Sequence, residues 1–129
     1  MKQPVVLLYQ IPPREKIKIM QVLQRYRCQG IAVETEQYAT PLGVLAGETR
    51  AEGAAPVYTG SPLPEPVMVF CNCGDTLLDN ILSALRQAQV PGILKAVLTP
   101  TNQSWTAGML YFELAKERQV FLQRKKKSF

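Results

Sequence analysis

Two uninterrupted apolar runs constrain the fold more than any other feature: Val5-Val6-Leu7-Leu8-Tyr9 and Val67-Met68-Val69-Phe70-Cys71. Short apolar runs bounded by turn residues read as strands buried on both faces. Each run opens the same succession of elements. After the first, Pro12 and Pro13 suit the opening turn of a helix, where a missing N–H costs little. From Arg14 to about Cys28, Ile19, Val22, Leu23 and Tyr26 recur at the spacing of one helical face. Gly30 is placed to close that helix or begin the next turn, and Ile31 to Glu36 then alternates, with Ile31, Val33 and Thr35 opposite Glu34 and Glu36, the pattern of a half-exposed edge strand.

The second run is followed by Asp75 as an expected N-cap and by Leu78, Ile81, Leu82 and Leu85 at helical spacing as far as Gln89. Pro91 and Gly92 stop this helix, and Ile93 to Thr99 reads as a fourth strand carrying Lys95. The interval from Val5 to Ile31 equals that from Val67 to Ile93, so the chain is written as two βαβ units of one period. A third helix is expected from a Ser104 cap, with Trp105, Met109 and Phe112 on one stripe and Leu110, Leu114 and Phe121 on the next.

This pattern predicts an α+β fold: a ferredoxin-like split βαβ (βαββαβ) with an antiparallel four-stranded sheet and a C-terminal helix. The alternative is a doubly wound parallel α/β sheet. The ferredoxin-like order places the two wholly apolar strands in the centre. A parallel sheet needs a crossover helix between the second and third strands, where none of useful length is written. Residues 1–129 are expected to form one domain with an irregular insertion at 37–66 and a basic tail at 124–129. Two helices cover only one face of such a sheet, so its central strands predict a further cover: the C-terminal helix, the middle segment or a second copy. A homodimer through that face is expected on this ground.

Gln37 to Pro66 holds five prolines and four glycines and is far longer than an ordinary connection. Thr40 as cap, Pro41 as first helical residue and Gly47 as terminator frame a short helical turn within it. Pro62, Pro64 and Pro66 then lead stiffly into the third strand. Two stretches carry a family resemblance: Lys95-Ala96-Val97-Leu98-Thr99-Pro100-Thr101-Asn102 with Trp105-Thr106, and Pro41-Leu42-Gly43-Val44-Leu45-Ala46-Gly47. The chain resembles a small bacterial family of uncharacterised proteins, domain of unknown function 3783. The resemblance implies no activity, substrate or cofactor, and Cys71-Asn72-Cys73 departs from the family pattern.

The sequence has no histidine, which excludes Ser-His-Asp and Cys-His nucleophile pairs and histidine-based metal sites. No phosphate-binding glycine loop and no catalytic constellation stands out, so no enzyme activity and no cofactor is expected. Cys71 and Cys73, two apart at a strand end, could face one side and ligate a soft metal or cycle as a dithiol, with Cys28 as the remaining sulfur. As small hydrophobes they equally suit a buried strand. Thr99, Thr101, Asn102, Ser104 and Trp105 join the fourth strand to the third helix, where hydroxyls and free N–H groups could hold an anion or small ligand. The same residue types also build a capped turn.

Of the net charge of +5, four units reside in Arg124, Lys125, Lys126 and Lys127, without which the body carries +1. A nucleic-acid partner through this tail is an alternative but is not the expectation, because no aromatic-interleaved recognition motif accompanies it. The odd number of cysteines predicts free thiols, and the N-terminal apolar run Val5–Tyr9 is too short for a signal sequence or a membrane span, so a cytoplasmic protein with no membrane partner is expected. The reading that emerges is a small regulatory or interaction module, homo-oligomeric, binding a protein partner or small effector through 37–66. That layout is similar to the nitrogen-signalling PII proteins. A thiol-based redox or metal protein is the second alternative.

Overall fold

In the computed structural model residues 3–127 are described. The elements are β1 (Val5–Tyr9), α1 (Pro13–Arg25), β2 (Gln29–Val33), a 3-10 turn (Thr35–Gln37), α2 (Leu42–Leu45), β3 (Val67–Cys71), α3 (Gly74–Gln87), β4 (Leu94–Val97) and α4 (Ala107–Lys127). They build one four-stranded sheet in the order β2-β1-β3-β4. The two wholly apolar strands lie at its centre, and every residue in both is buried.

The sheet is mixed, which corrects the expected fold class. β1 pairs parallel with β2, β3 pairs parallel with β4, and the central β1–β3 pair is antiparallel. A ferredoxin-like sheet interleaves its two βαβ units so that all neighbours are antiparallel. Here each unit closes on itself. A helix of 13 residues rises about 20 Å, close to the length of a five-residue strand, so the chain returns beside the strand it left. A short hairpin after β2 would then hold β3 at its side. The segment between Val33 and Val67 instead crosses the sheet and delivers β3 to the far side of β1. The doubly wound alternative fails as well, because the central pair is antiparallel and α1 and α3 cover the same face. With the ferredoxin-like body goes the likeness to the PII layout.

The two units are related by an internal two-fold through the centre of the sheet. β1 and β3 pair with Leu7 opposite Val69, flanked by Val5 with Cys71 and Tyr9 with Val67. Each strand is followed by a residue in the left-handed region, Gln10 and Asn72, and each helix by another, Arg27 and Gln89. All three correspondences, Leu7 with Val69 included, span the same sequence interval. The repeat therefore survives in backbone conformation where side chains have diverged. It breaks at the last strand: β2 begins two residues after Arg27, but Leu94 pairs with Val67 five residues after Gln89. Pro91 and Gly92 lie in that longer turn.

Two clusters fill the two faces. Under α1 and α3, Val6, Leu8, Met68 and Phe70 pack with Ile19, Val22, Leu23, Ile81 and Leu85. On the other face Val5, Leu7, Tyr9, Val67, Val69 and Cys71 pack against Tyr38, Leu42 and Ala46 of the middle segment and Ala107 and Leu110 of α4. The chain supplies its own second cover. The bare face that motivated a homodimer is therefore occupied by residues of the same chain. Tyr9, Tyr38 and Tyr58 pack in series with tilted rings, their centroids 5.7 and 5.5 Å apart. The Tyr58 N–H donates to the Glu36 carbonyl at 3.0 Å.

Helix α4 begins at Ala107 rather than at a Ser104 cap, the Leu110 N–H donating to the Thr106 carbonyl at 3.0 Å. Its first turns lie on the sheet, and from Lys116 to Arg124 its residues are exposed. One polar anchor ties it to the proline-rich lead into β3. Arg118 grips Glu65 with two bonds of 2.8 and 2.7 Å, and the Tyr111 hydroxyl donates to the same carboxylate at 2.7 Å.

Two outcomes follow from this packing. Leu7→Ala, at a fully buried central position, should destabilise the chain by about 2–5 kcal/mol in urea unfolding. Ile17→Ala, on the exposed side of α1, should stay within about 0.5 kcal/mol. The Arg118 and Tyr111 hydrogen bonds hold Glu65 at a pKa of about 2, below its ordinary 4.5. The anchor's contribution is therefore complete above the unfolded carboxylate pKa and is lost as pH falls from about 4.5 towards about 2. The Tm difference between the native chain and Glu65→Gln should be largest at neutral pH and shrink through that window.

Candidate functional site

The loop after β4 and the short helix α2 form one unit. Asn102, 8 % exposed, is the buried polar residue of the loop, and both polar atoms of its side chain are hydrogen-bonded. Its Oδ1 accepts from the Thr99 N–H at 2.9 Å, and its Nδ2 donates to the Val97 carbonyl at 3.0 Å. Its own N–H donates to the Thr99 hydroxyl at 3.1 Å. These bonds close the turn and continue the end of β4, so the polar atoms of Asn102 serve the loop rather than a ligand.

The closed turn aims two carbonyls outward. The Leu42 N–H donates to the Trp105 carbonyl at 2.9 Å, and the Gly43 N–H donates to the Gln103 carbonyl at 2.8 Å. These are amides at the start of α2 that have no partner within the helix. Thr40 and Pro41 were expected to open this helix. Pro41 instead occupies the position before it, and the loop after β4 provides the cap. Gly47, at φ +77°, follows the last turn, the conformation expected of a terminating glycine. Gly43 permits the docking: a Cβ there would lie 3.0 Å from both Cβ and O of Gln103 and 2.8 Å from Thr49 Oγ1. The two stretches that carried the family resemblance are thus in direct contact.

Beside this contact lies a cleft of about 470 Å³. Thr40, Pro41 and Val44 form one wall and Gln103 and Ser104 another, while Thr49 to Pro56 runs along the third. Of the expected ligand residues, Ser104 alone lines it. Thr99 and Asn102 build the turn, Thr101 is exposed, and Trp105 is half-buried against the second core and borders a different surface with Met109 and Phe112. Thr40, Thr49, Arg50 and Glu52 belong to the 37–66 segment expected to bind but were not singled out as site residues, and Gln103 was not foreseen. They come from segments distant in sequence, and only the docking of α2 on the loop brings them together.

The cysteines are arranged differently from expectation. Cys71 and Cys73 do not share a face. Cys71 ends β3 and is fully buried in the second core, whereas Asn72, at φ +59°, turns the chain so that Cys73 packs against the core under α1 and α3. Burial pushes the Cys71 thiol up to about 12. Cys73 packs instead against the cluster that contains Cys28, and its Sγ donates to the Cys71 carbonyl at 3.6 Å. Among the described residues no group of three or more potential ligands from Cys, Asp and Glu could hold a metal ion. Asn72 itself reaches Glu48, tying the middle segment to the end of β3. Asp75 lies in the first turn of α3 and Cys73 takes the N-cap position. Of the basic run, Arg124 is exposed on α4, and the side chains of Lys125, Lys126 and Lys127 lie outside the described residues.

Residues 66–121, from the start of β3 into α4, match the family model described as a domain of unknown function (DUF3783). Over this stretch the chain is similar to that family. No curated protein and no solved structure matches the chain. The DUF3783 stretch contains β3, α3, β4 and the Thr99–Trp105 turn, hence one complete βαβ unit and one wall of the cleft. No helix among the described residues is long and apolar enough to cross a membrane.

The turn makes a direct prediction. Asn102→Ala removes the partners of the Thr99 N–H and the Val97 carbonyl and should cost about 1–3 kcal/mol in chemical denaturation. Ser104→Ala, at an exposed position, should leave stability within about 0.5 kcal/mol.

Proposed function

We propose that this chain is a small non-catalytic binding module, cytoplasmic, that takes a small polar effector in the cleft between α2 and the Thr99–Trp105 turn. The observation that carries this reading is the cleft itself. At about 470 Å³ it has the capacity typical of small-molecule sites, roughly 300–1,000 Å³, and combines apolar and hydrogen-bonding walls. Pro41 and Val44 offer apolar contact; Thr40, Thr49, Gln103 and Ser104 offer donors and acceptors; Arg50 and Glu52 bring one charge of each sign. Such a lining suits a compact polar or zwitterionic molecule. It presents hydrogen-bond partners rather than a nucleophile beside a base, which favours binding over catalysis. Three free thiols support a reducing compartment.

The middle segment has two parts with different duties. Tyr38, Leu42, Ala46 and Tyr58 hold the second core, while Arg50 to Val57 is exposed. The exposed stretch borders the cleft and is the part that occupancy would reposition for a partner protein. Deleting Glu48 to Gly60 would remove Tyr58 and the Glu48–Asn72 contact together with the loop, so a shorter replacement isolates the function.

The test is an amide-detected NMR titration with amino acids, dicarboxylates and nucleoside monophosphates. At least one class should shift the amides of Thr40, Val44, Thr49 and Ser104 as a group. Ser104→Trp, which fills the cleft from an exposed position, should abolish those shifts while leaving Tm unchanged. Silence of these amides across the panel, or shifts that survive Ser104→Trp, would remove the proposal.

A further inference from the structure

Cys28 and Cys73 lie at the opposite end of β1 from Tyr9 and take no part in the cleft. Gln29, the first residue of β2, and Cys71, the last of β3, both pair with Val5, one on each side of β1. The next residues outward, Cys28 on one side and Asn72 on the other, therefore emerge at the same end of the sheet. The left-handed turn at Asn72 carries Cys73 onto the helical face, where it packs against the cluster that contains Cys28. The two thiols lie close enough to shift each other's ionisation, and Cys73 Sγ donates to the Cys71 carbonyl at 3.6 Å. Their access to solvent differs: Cys28 is 6 % exposed, while Cys73 is half-buried. Cys71 is fully buried on the other face, and its thiol contacts the Val69 carbonyl at 3.8 Å.

We propose that Cys73 and Cys28 form a reversible dithiol site for a hydroperoxide, with Cys73 as the reacting sulfur and Cys28 as the resolving one. The asymmetry of the pair assigns the roles. Cys73 is the more accessible thiol, and the neighbouring Cys28 lowers its pKa, while Cys73 and burial raise that of Cys28. Cys73 also stands at the N-terminal end of α3, where the helix dipole favours a thiolate. Reaction needs a small oxidant, since Cys73 is only partly open and Cys28 is closed.

The chemistry balances with hydrogen peroxide as co-reactant. The Cys73 thiolate attacks one peroxide oxygen, the O–O bond breaks, and the second oxygen leaves as hydroxide, becoming water on taking a proton. Cys73 is now a sulfenic acid. The Cys28 sulfur then attacks Cys73 Sγ; the S–S bond forms, the S–O bond breaks, and the departing hydroxide takes the Cys28 proton as a second water. Two thiols and one peroxide become one disulfide and two waters. A dithiol reductant restores the pair by exchange.

The experiment treats the full chain with hydrogen peroxide, quenches, alkylates under denaturing conditions and maps tryptic peptides. Labelling of Cys28 and Cys73 should be lost together while Cys71 is labelled as before. The intact mass should fall by two hydrogen atoms, and dithiothreitol should reverse both changes. Cys71→Ser should retain the cross-link between the peptide Cys28–Arg50 and the peptide spanning 51–86. Cys73→Ser should lose it, and Cys28→Ser should instead accumulate a dimedone-reactive sulfenic acid at Cys73. Three free thiols in the peroxide-treated native chain, or a cross-link that persists in Cys73→Ser, would overturn the proposal. The native-chain labelling decides the matter even if a buried-cysteine variant fails to fold.

Discussion

The antiparallel pairing of β1 with β3 is the contact on which the rest of this molecule depends. Ten residues, all buried, form the middle of the sheet, with Leu7 opposite Val69 at its centre. Strands apolar on both faces cannot be left with one face in water, since each buried leucine or valine is worth about 1.5–3 kcal/mol of transfer free energy. One face is covered by α1 and α3, as any pair of βαβ units would cover it. The other required a second layer, and the connection between the units, together with the start of α4, provides one. The unusual length of that connection is thus mainly a packing requirement.

That second layer creates the cleft. A four-residue helix such as α2 has too few internal bonds to stand alone. Its first amides are satisfied by carbonyls of the turn after β4, and the turn is held by Asn102. The cleft beside them follows from this chain of dependencies: a rigid turn positions α2, α2 anchors one end of the exposed Arg50–Val57 stretch, and the stretch forms the third wall. The cleft is lined by the connection between the repeats and by the turn after β4, not by the strands and long helices of the repeats.

Much of the fold is legible in the sequence because apolar runs and helical spacing record local burial. β1, β3 and the buried faces of α1 and α3 follow directly from Val5–Tyr9, Val67–Cys71, Ile19, Val22, Leu23, Ile81 and Leu85. Strand direction is not so recorded. The same residues satisfy an interleaved antiparallel sheet and the observed mixed one, and only the path of the middle segment separates them. The candidate site was legible in part. Asn102 and Thr99 are turn formers, and a turn is what they build. Cys73 was misplaced because strand alternation was carried two residues beyond the strand, past the left-handed Asn72. The equal sequence intervals between Gln10 and Asn72 and between Arg27 and Gln89 show that such turns recur with the repeat. The contacts of Gly43 with Gln103 and of Glu65 with Arg118 join distant segments and leave no local trace in composition.

The most direct test of this architecture is a set of side-chain NOEs from a sample mixing labelled and unlabelled chains. The account predicts contacts between Leu7 and Val69, and between Leu42 and the second face of the sheet, all within single chains. Contacts that place β3 beside β2, or Leu42 contacts arising between chains, would contradict it.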